Sequence, residues 1–171
     1  MDAMEAILQR RSVRDFAETP VSDGQVETLL RAAMSAPSAG NQQSWRFVVV
    51  RERATLQRLA ESTRFGKPMA RAQVGIVVLG DEASETFPHN WPNDCAAAAE
   101  NILIAAHAIG LGACWLVVHP GVEREAAVGA IVGTPEGFRT FCMIAVGVPA
   151  REGPKPDRFD VARIRHEHWS D

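Results

Sequence analysis

The segment from Asn93 to Gly110 is the part of the sequence that most restricts the fold. It is rich in alanine and carries few charged residues, so apolar side chains occupy almost every face of the helix that its composition predicts. Asn93 or Asp94 is expected to cap the start of this helix, and Gly110 to end it. A helix with so little polar surface has to be buried on several sides. We therefore expect a sheet, other helices and a partner subunit to cover it.

Strands and helices alternate along the rest of the chain. Helical spacing of apolar residues predicts short helices at 2–11, 22–36, 53–62 and 123–131. Apolar segments rich in β-branched residues predict strands at 45–50, 74–79, 112–118 and 140–148. This order is typical of the α+β and mixed α/β classes. It predicts a central mixed or parallel sheet flanked by helices on both faces.

The chain has the length and composition of one globular domain. Its 171 residues are 46% hydrophobic and 23% charged, which suits a single hydrophobic core within residues 1–171. Residues 150–171 contain Pro154 and Pro156 and few apolar side chains. We expect them to form an extended C-terminal arm.

Charge and hydropathy argue against several kinds of partner. A formal net charge of -3 does not favour nucleic acid, whose phosphates require Lys and Arg clustered over one face. No apolar run reaches the roughly 18 to 20 residues that cross a bilayer, and the first residues lack the pattern of a secretory signal. We therefore expect a cytoplasmic protein without a membrane partner. Cys95, Cys114 and Cys142 lie in apolar surroundings and are expected to be reduced core thiols.

Two basic segments are candidates for binding an anion. Arg10-Arg-Ser-Val-Arg14 places three guanidinium groups and a hydroxyl at the end of the first predicted helix, a donor set that suits a phosphate ester. The alternative is an ordinary solvated helix end, where arginine is common. Lys155 and Arg158 lie far along the chain and are able to return to the same anion, or else belong to a polar surface tail.

The segment from Pro37 to Trp45 is a candidate for contact with a heterocycle. Its small residues let a ligand approach the backbone, and Asn41 and Gln42 both donate and accept hydrogen bonds. The alternative is a structural turn between a helix and a strand.

Other familiar motifs are incomplete. Gly110-Leu-Gly112 follows a predicted helix and lacks a third glycine, so it is not a dinucleotide-binding fingerprint. His166 and His168 do not have the spacing of a zinc protease, and we expect no metal site. His119 follows a predicted strand, where it either approaches a pocket or is an ordinary loop histidine.

Taken in order, these segments resemble the nitroreductase family of flavoproteins from Met1 to about Arg158. Arg10-Arg-Ser-Val-Arg14 looks like the family's N-terminal motif for the phosphate and ribityl chain of FMN, and residues 36–45 look like its second signature. Glu100-Asn101 followed by residues 110–115 looks like the third. The order is completed by residues 135–137, 145–149 and 155–158.

The resemblance implies a three-layer nitroreductase fold, a homodimer, and FMN bound between the two protomers. The residues that it implies for the phosphate end of FMN are Arg10, Arg11, Ser12, Arg14, Lys155 and Arg158. Those that it implies for the isoalloxazine ring are Pro37, Ser38 and Asn41 on one side, and Trp115, Leu116 and Val117 on the other.

The resemblance also implies an activity. NADH or NADPH reduces the flavin and leaves, and a small organic acceptor such as a nitroaromatic or a quinone then takes its place. A flavin-dependent dehalogenase, a flavin-fragmenting enzyme and a non-catalytic flavin-binding or storage protein remain alternatives. Two departures stand out. Ser44 replaces a proline that is frequent in the family, which we expect to loosen the loop, and the lid of larger relatives is reduced to residues 86–91.

Overall fold

The computed structural model describes residues 1–82, 86–87, 89–154 and 156–169. Its helices are α1 (Ala3–Gln9), α2 (Asp23–Met34), α3 (Arg53–Glu61), α4 (Lys67–Arg71), α5 (Trp91–Ala108) and α6 (Val122–Val132). Its strands are β1 (Trp45–Val50), β2 (Val74–Asp81), β3 (Gly112–Val117) and β4 (Phe138–Gly147). Short 3-10 turns cover Ala39–Asn41 and Val161–Arg163. No helix within the described ranges has both the length and the hydropathy needed to span a bilayer.

The strand order confirms the α+β class but corrects the strand directions. The strands lie side by side in the order β1, β2, β4, β3, and each neighbouring pair is antiparallel. β2 and β3 run in the same direction, as the helical crossover α5 requires. Because β4 inserts between them, the expected parallel pairing is replaced by two antiparallel ones. A parallel bridge joins Ser12 to Ala113 at the outer edge of β3.

Helices cover both faces of the sheet, as the three-layer expectation requires. Alternate residues of β2 and β4 point to opposite faces, since side chains alternate along a strand. One face packs against α2 and α5 through residues that include Ile76, Val78, Ile102 and Ile144. The other packs against α3, α4 and α6 through residues that include Leu56, Met69, Val77, Val128 and Met143.

Helix α5 is buried over much of its surface but begins earlier than predicted. It starts at Trp91, with Pro92 in the first turn, where a proline loses no helical hydrogen bond. Asp94 therefore lies inside the helix and does not cap it. Ile104 and Ala108 remain half-buried within the chain, so α5 keeps an incompletely covered strip.

Helix α1 and the C-terminal arm both expose apolar side chains. Helix α1 buries Ala6 but leaves Met4, Ile7 and Leu8 exposed at 60%, 48% and 63%. On the C-terminal arm, Phe159 and Trp169 are also exposed. Helix α1 therefore has the apolar face that helical spacing predicts, but within one chain that face contacts solvent.

Candidate functional site

The residues that follow α1 run along the edge of the sheet. Helix α1 ends at Gln9, and the next residues are extended: Ser12 forms the parallel bridge with Ala113, and the Val13 amide donates to the Ala113 carbonyl over 2.9 Å. This pairing holds the side chains of residues 10–14 beside the start of β3. The predicted anion-binding motif is thus built on a strand edge, which limits its backbone motion.

Each arginine of this motif has a different environment. The Arg10 Nε lies 2.9 Å from the Glu100 carboxylate of α5. Arg14 lies against the thiol of Cys114, where burial raises the pKa of that thiol and the Arg14 charge partly offsets the rise. The Arg11 side chain packs against the backbone at Gly153, where a Cβ added to that glycine would stand 2.6 Å from the Arg11 Nε. Arg10 therefore has an ion-pair partner on α5, whereas Arg11 and Arg14 both line a recess at the surface.

A recess of about 510 Å³ brings three of the predicted residues together. It is lined by Arg11, Ser12 and Arg14, and the returning chain after β4 adds Arg151. The sequence analysis did not select Arg151 as an anion-binding residue. Its position two residues after Pro149, just beyond the last predicted strand, was a usable signal. Asp15 and Glu152 are also at this recess, and Asp15 is paired with Arg71 over 2.8 Å.

A second recess of about 590 Å³ lies along the outer edge of β3 and shares Arg14 with the first. Trp115, Leu116 and Val117, all predicted, form its floor. In the part of the chain that the structure describes, no strand pairs with β3 on this side beyond Ala113. The backbone N–H and C=O groups of that edge are therefore available to a ligand.

The walls of the second recess come from residues that the sequence did not single out. Arg64 and Phe65 lie in the turn between α3 and α4, and Arg124 lies in the first turn of α6, its Nε donating to the Val118 carbonyl over 3.1 Å. One signal for these residues was available in the sequence: the basic and aromatic segment Arg64-Phe-Gly-Lys67 lies between two predicted elements. Arg14, Arg64 and Arg124 together make this edge strongly cationic.

The loop that contains Pro37, Ser38 and Asn41 lies elsewhere. Its contacts are with the first turn of α5, where Asp94 accepts a hydrogen bond from the Ala39 amide over 2.9 Å. The N-terminal arginines lie near the other end of α5, where burial and the charges of Arg11 and Arg10 lower the pKa of His107. At 1.5 Å per residue, Asp94 and His107 are roughly 20 Å apart along the helix axis. One chain therefore does not unite the two predicted groups.

Ser44 does not loosen this loop, contrary to expectation. Its side chain is fully buried at 0% exposure, and its hydroxyl donates to the Asp94 carboxylate over 3.0 Å. A proline at this position would offer no such donor. The serine thus ties the loop to α5.

The C-terminal pair of predicted residues is only partly placed. Lys155 lies outside the described residues. Arg158 is exposed on the arm, and it is not among the described residues that line the recess with Arg11, Ser12 and Arg14. Its expected role at the phosphate stays a prediction.

His119 belongs to a polar cluster at the far end of β3. Its Nδ1 lies 2.9 Å from Glu125, and the same carboxylate accepts from the Arg139 Nε over 2.6 Å. Burial raises the pKa of Glu125, but the hydrogen bonds from Arg139 and His119 outweigh it and hold that pKa below the ordinary value for a glutamate. The ring of His119 also makes an edge contact with Trp91, with centroids 4.7 Å apart. This cluster fixes the start of α6 against the sheet.

The family model that matches this chain is described as the nitroreductase family. It covers residues 7–66 and 63–148, which include the N-terminal motif, the loop before β1 and the edge strand β3. The chain belongs to the nitroreductase family.

Relatives agree with this assignment over nearly the whole length. A protein of Archaeoglobus fulgidus, provisionally named an NADH dehydrogenase/NAD(P)H nitroreductase, is 40% identical over 98% of this chain and 99% of its own length. A crystal structure of a provisionally named NADH oxidase from Clostridium acetobutylicum has a TM-score of 0.93 and 39% identity, covering 96% of this chain and 99% of that one. A provisionally named nitroreductase from Desulfovibrio desulfuricans, solved in complex with FMN, has a TM-score of 0.84 and 31% identity over 99% of both chains.

Proposed function

We propose that this nitroreductase-family chain is an FMN-dependent oxidoreductase that uses NADH or NADPH to reduce a small organic acceptor such as a nitroaromatic or a quinone. The observation that carries the proposal is the pair of adjoining recesses that share Arg14. One is cationic and suits a phosphate, and the other is a long strand edge that suits a flat heterocycle.

The residues present fit the phosphate end of FMN. Arg11, Arg14 and Arg151 offer planar donors, and Ser12 adds a hydroxyl. A phosphate monoester carries nearly two negative charges, which this set of donors neutralises. Of the two carboxylates at this recess, Asp15 is paired with Arg71 and so competes weakly for these arginines, and the single charge of Glu152 leaves the three arginines with a net positive charge.

The edge of β3 fits the ring of FMN. Backbone N–H and C=O groups from Trp115 to Val117 are able to pair with the alternating donors and acceptors of a flavin's pyrimidine edge. Arg14, Arg64 and Arg124 surround the recess and would stabilise negative charge on a ring bound there. When bound, FMN supplies the redox chemistry that no side chain offers, and the protein's part is to bind it, orient it and set its electrostatic surroundings.

A second copy of the chain would complete the site. The loop with Pro37, Ser38 and Asn41 cannot reach the β3 edge of its own chain, because it is anchored at the start of α5. The exposed apolar residues of α1, the partly covered strip of α5 and the exposed aromatic residues of the arm provide surface for a homodimer. We propose that the partner's loop closes over the flavin ring.

The printed descriptions of relatives support the cofactor and the reductant. The Desulfovibrio desulfuricans structure contains FMN, and the name of the Archaeoglobus fulgidus protein specifies NAD(P)H. Both lie above 30% identity with this chain.

The first experiment is an absorbance spectrum of the purified protein, recorded without oxygen before and after addition of NADH or NADPH. A flavin band that bleaches supports the proposal. A bound flavin that neither nucleotide reduces would indicate a storage or binding protein. If added FMN neither binds nor bleaches, the proposed cofactor and activity are both wrong.

A pair of variants locates the cofactor. Arg14→Ala should weaken FMN binding by about tenfold or more, since a hydrogen bond to a charged group contributes about 1.5 to 3 kcal/mol. Arg31→Ala is the matched control, because this arginine is exposed on α2 and forms an ion pair with Glu27 one turn away on the same helix. Equal FMN dissociation constants for the two variants, measured by fluorescence titration, would contradict the assigned site.

A further inference from the structure

Asp94 is a buried acceptor that organises the loop before β1. Its carboxylate, in a residue only 3% exposed, accepts hydrogen bonds from the Ala39 amide, the Gln42 side-chain amide and the Ser44 hydroxyl at 2.9, 2.9 and 3.0 Å. The three donors span the whole turn. One carboxylate therefore holds the loop in a single conformation.

Gln42 extends this arrangement to a second segment of the chain. While its Nε2 donates to Asp94, its Oε1 accepts from the backbone amides of Thr86 and Phe87, each over 3.2 Å. One side-chain amide thus links the helix α5, the loop and the residues that precede α5. The backbone at residues 86 and 87 depends on Gln42 for these contacts.

Phe87 lies directly on the loop as a result. A Cβ at Gly40 would stand 2.1 Å from the Phe87 ring, so only a glycine allows the ring to approach this closely. Gly40 also adopts a φ of 53°, which disfavours other residues. The Phe87 side chain is nevertheless 46% exposed. One face of the ring packs on the loop while the rest stays open.

We propose that Phe87 provides the aromatic surface that favours planar acceptors, and that Gln42 and Asp94 are positioning residues that hold this ring over the loop. The inference rests on the proposed function, in which this loop borders the flavin. Gly40, on which the ring packs, has no side chain and the preceding Ala39 has only a methyl group, so the Phe87 ring is the large flat apolar surface at this point of the loop. Aromatic rings stack favourably on other flat rings.

The test compares a planar acceptor with one that cannot stack. Menadione is the planar probe, ferricyanide is the reference, and the readout is the ratio of their kcat/KM values with the FMN-loaded protein. Phe87→Ala should lower this ratio by about three- to tenfold, the range expected for loss of one aromatic contact. Phe87→Trp should restore it, and Thr86→Ala, which keeps both backbone amides, should leave it unchanged. The FMN dissociation constant should stay within about twofold of the wild-type value, because none of these side chains is placed at the phosphate.

Gln42 is tested through Phe87. Gln42→Ala should lower the same ratio, and the double variant with Phe87→Ala should show no further loss, because the glutamine acts by holding the ring. Hydrogen exchange gives a readout without turnover: the amides of Thr86 and Phe87 should exchange faster in Gln42→Ala than in wild type. Additive losses in the double variant, or unchanged exchange, would overturn the positioning role.

The outcomes separate this inference from the proposed function. If the wild-type protein reduces both acceptors and Phe87→Ala does not change the ratio of their kcat/KM values, the inference is wrong and the proposed function stands. A wild-type protein whose FMN is not reduced by NADH or NADPH removes both.

Discussion

Removing the hydroxyl of Ser44 should destabilise the folded protein measurably, although the change is a single atom. The Ser44 hydroxyl and the Asp94 carboxylate are both buried and 3.0 Å apart. A hydrogen bond to a charged group contributes about 1.5 to 3 kcal/mol. Because Asp94 keeps two other donors, we expect Ser44→Ala to lower the free energy of unfolding by about 2 kcal/mol.

Asp94→Ala should have a larger effect. It removes the acceptor of three hydrogen bonds and leaves the Ser44 hydroxyl without a partner at a position with 0% exposure. An unsatisfied buried group costs about 1 to 3 kcal/mol, so the total loss should be about 3 to 5 kcal/mol. In that background Ser44→Ala should cost little or even stabilise, since it removes the unpaired hydroxyl.

Urea unfolding followed by far-UV circular dichroism measures these differences. Ser35→Ala is the matched control, because that serine is exposed at the end of α2, and surface substitutions usually change stability by less than about 0.5 kcal/mol. If Ser44→Ala behaves like Ser35→Ala, or if the effects of Ser44→Ala and Asp94→Ala simply add, the buried hydrogen-bond hub is refuted.

Three further predictions concern buried groups. Glu125 has a lowered pKa, so its contribution is present above about pH 4.5 and lost as the pH falls through its folded pKa. The stability deficit of Glu125→Gln, measured by urea unfolding, should therefore shrink from about 2 kcal/mol at pH 7 toward zero in acid. His107 has a lowered pKa, and its buried Nε2 has no hydrogen-bond partner among the described residues, so the free energy of unfolding should fall as the pH drops below 6.5. The Tm of His107→Leu, measured by thermal unfolding, should not show this dependence on pH. Burial raises the pKa of Cys142, so this thiol should react with a thiol reagent only after urea is added.

Local patterns in the sequence were enough to locate most elements. Strand β1 was predicted at 45–50 and is observed at Trp45–Val50, because consecutive β-branched and apolar residues leave little choice of backbone. Ser22 and Gln25 predicted the start of α2, and the reciprocal hydrogen bonds of a capping box are present there. These features depend on neighbours a few residues apart, which a sequence displays directly.

Among the predicted site residues, the structure brings together those that lie on one continuous segment. Arg11, Ser12 and Arg14 share a recess, and Trp115, Leu116 and Val117 line one strand edge. Arg64, Phe65 and Arg124 were missed, since their turns reach that edge only through the packing of α3 and α6. The role of Ser44 was wrong for the same reason: its partner Asp94 lies fifty residues away.

The sequence by itself determined the family, the class of fold and the residue types that suit a phosphate and a flat ring. The tertiary structure alone decided the position of β4 between β2 and β3, the antiparallel directions, and the separation of the Pro37 loop from the arginines. The physical reason is that periodicity and capping are short-range, whereas strand order and buried polar contacts depend on which distant surfaces bury the most apolar area together.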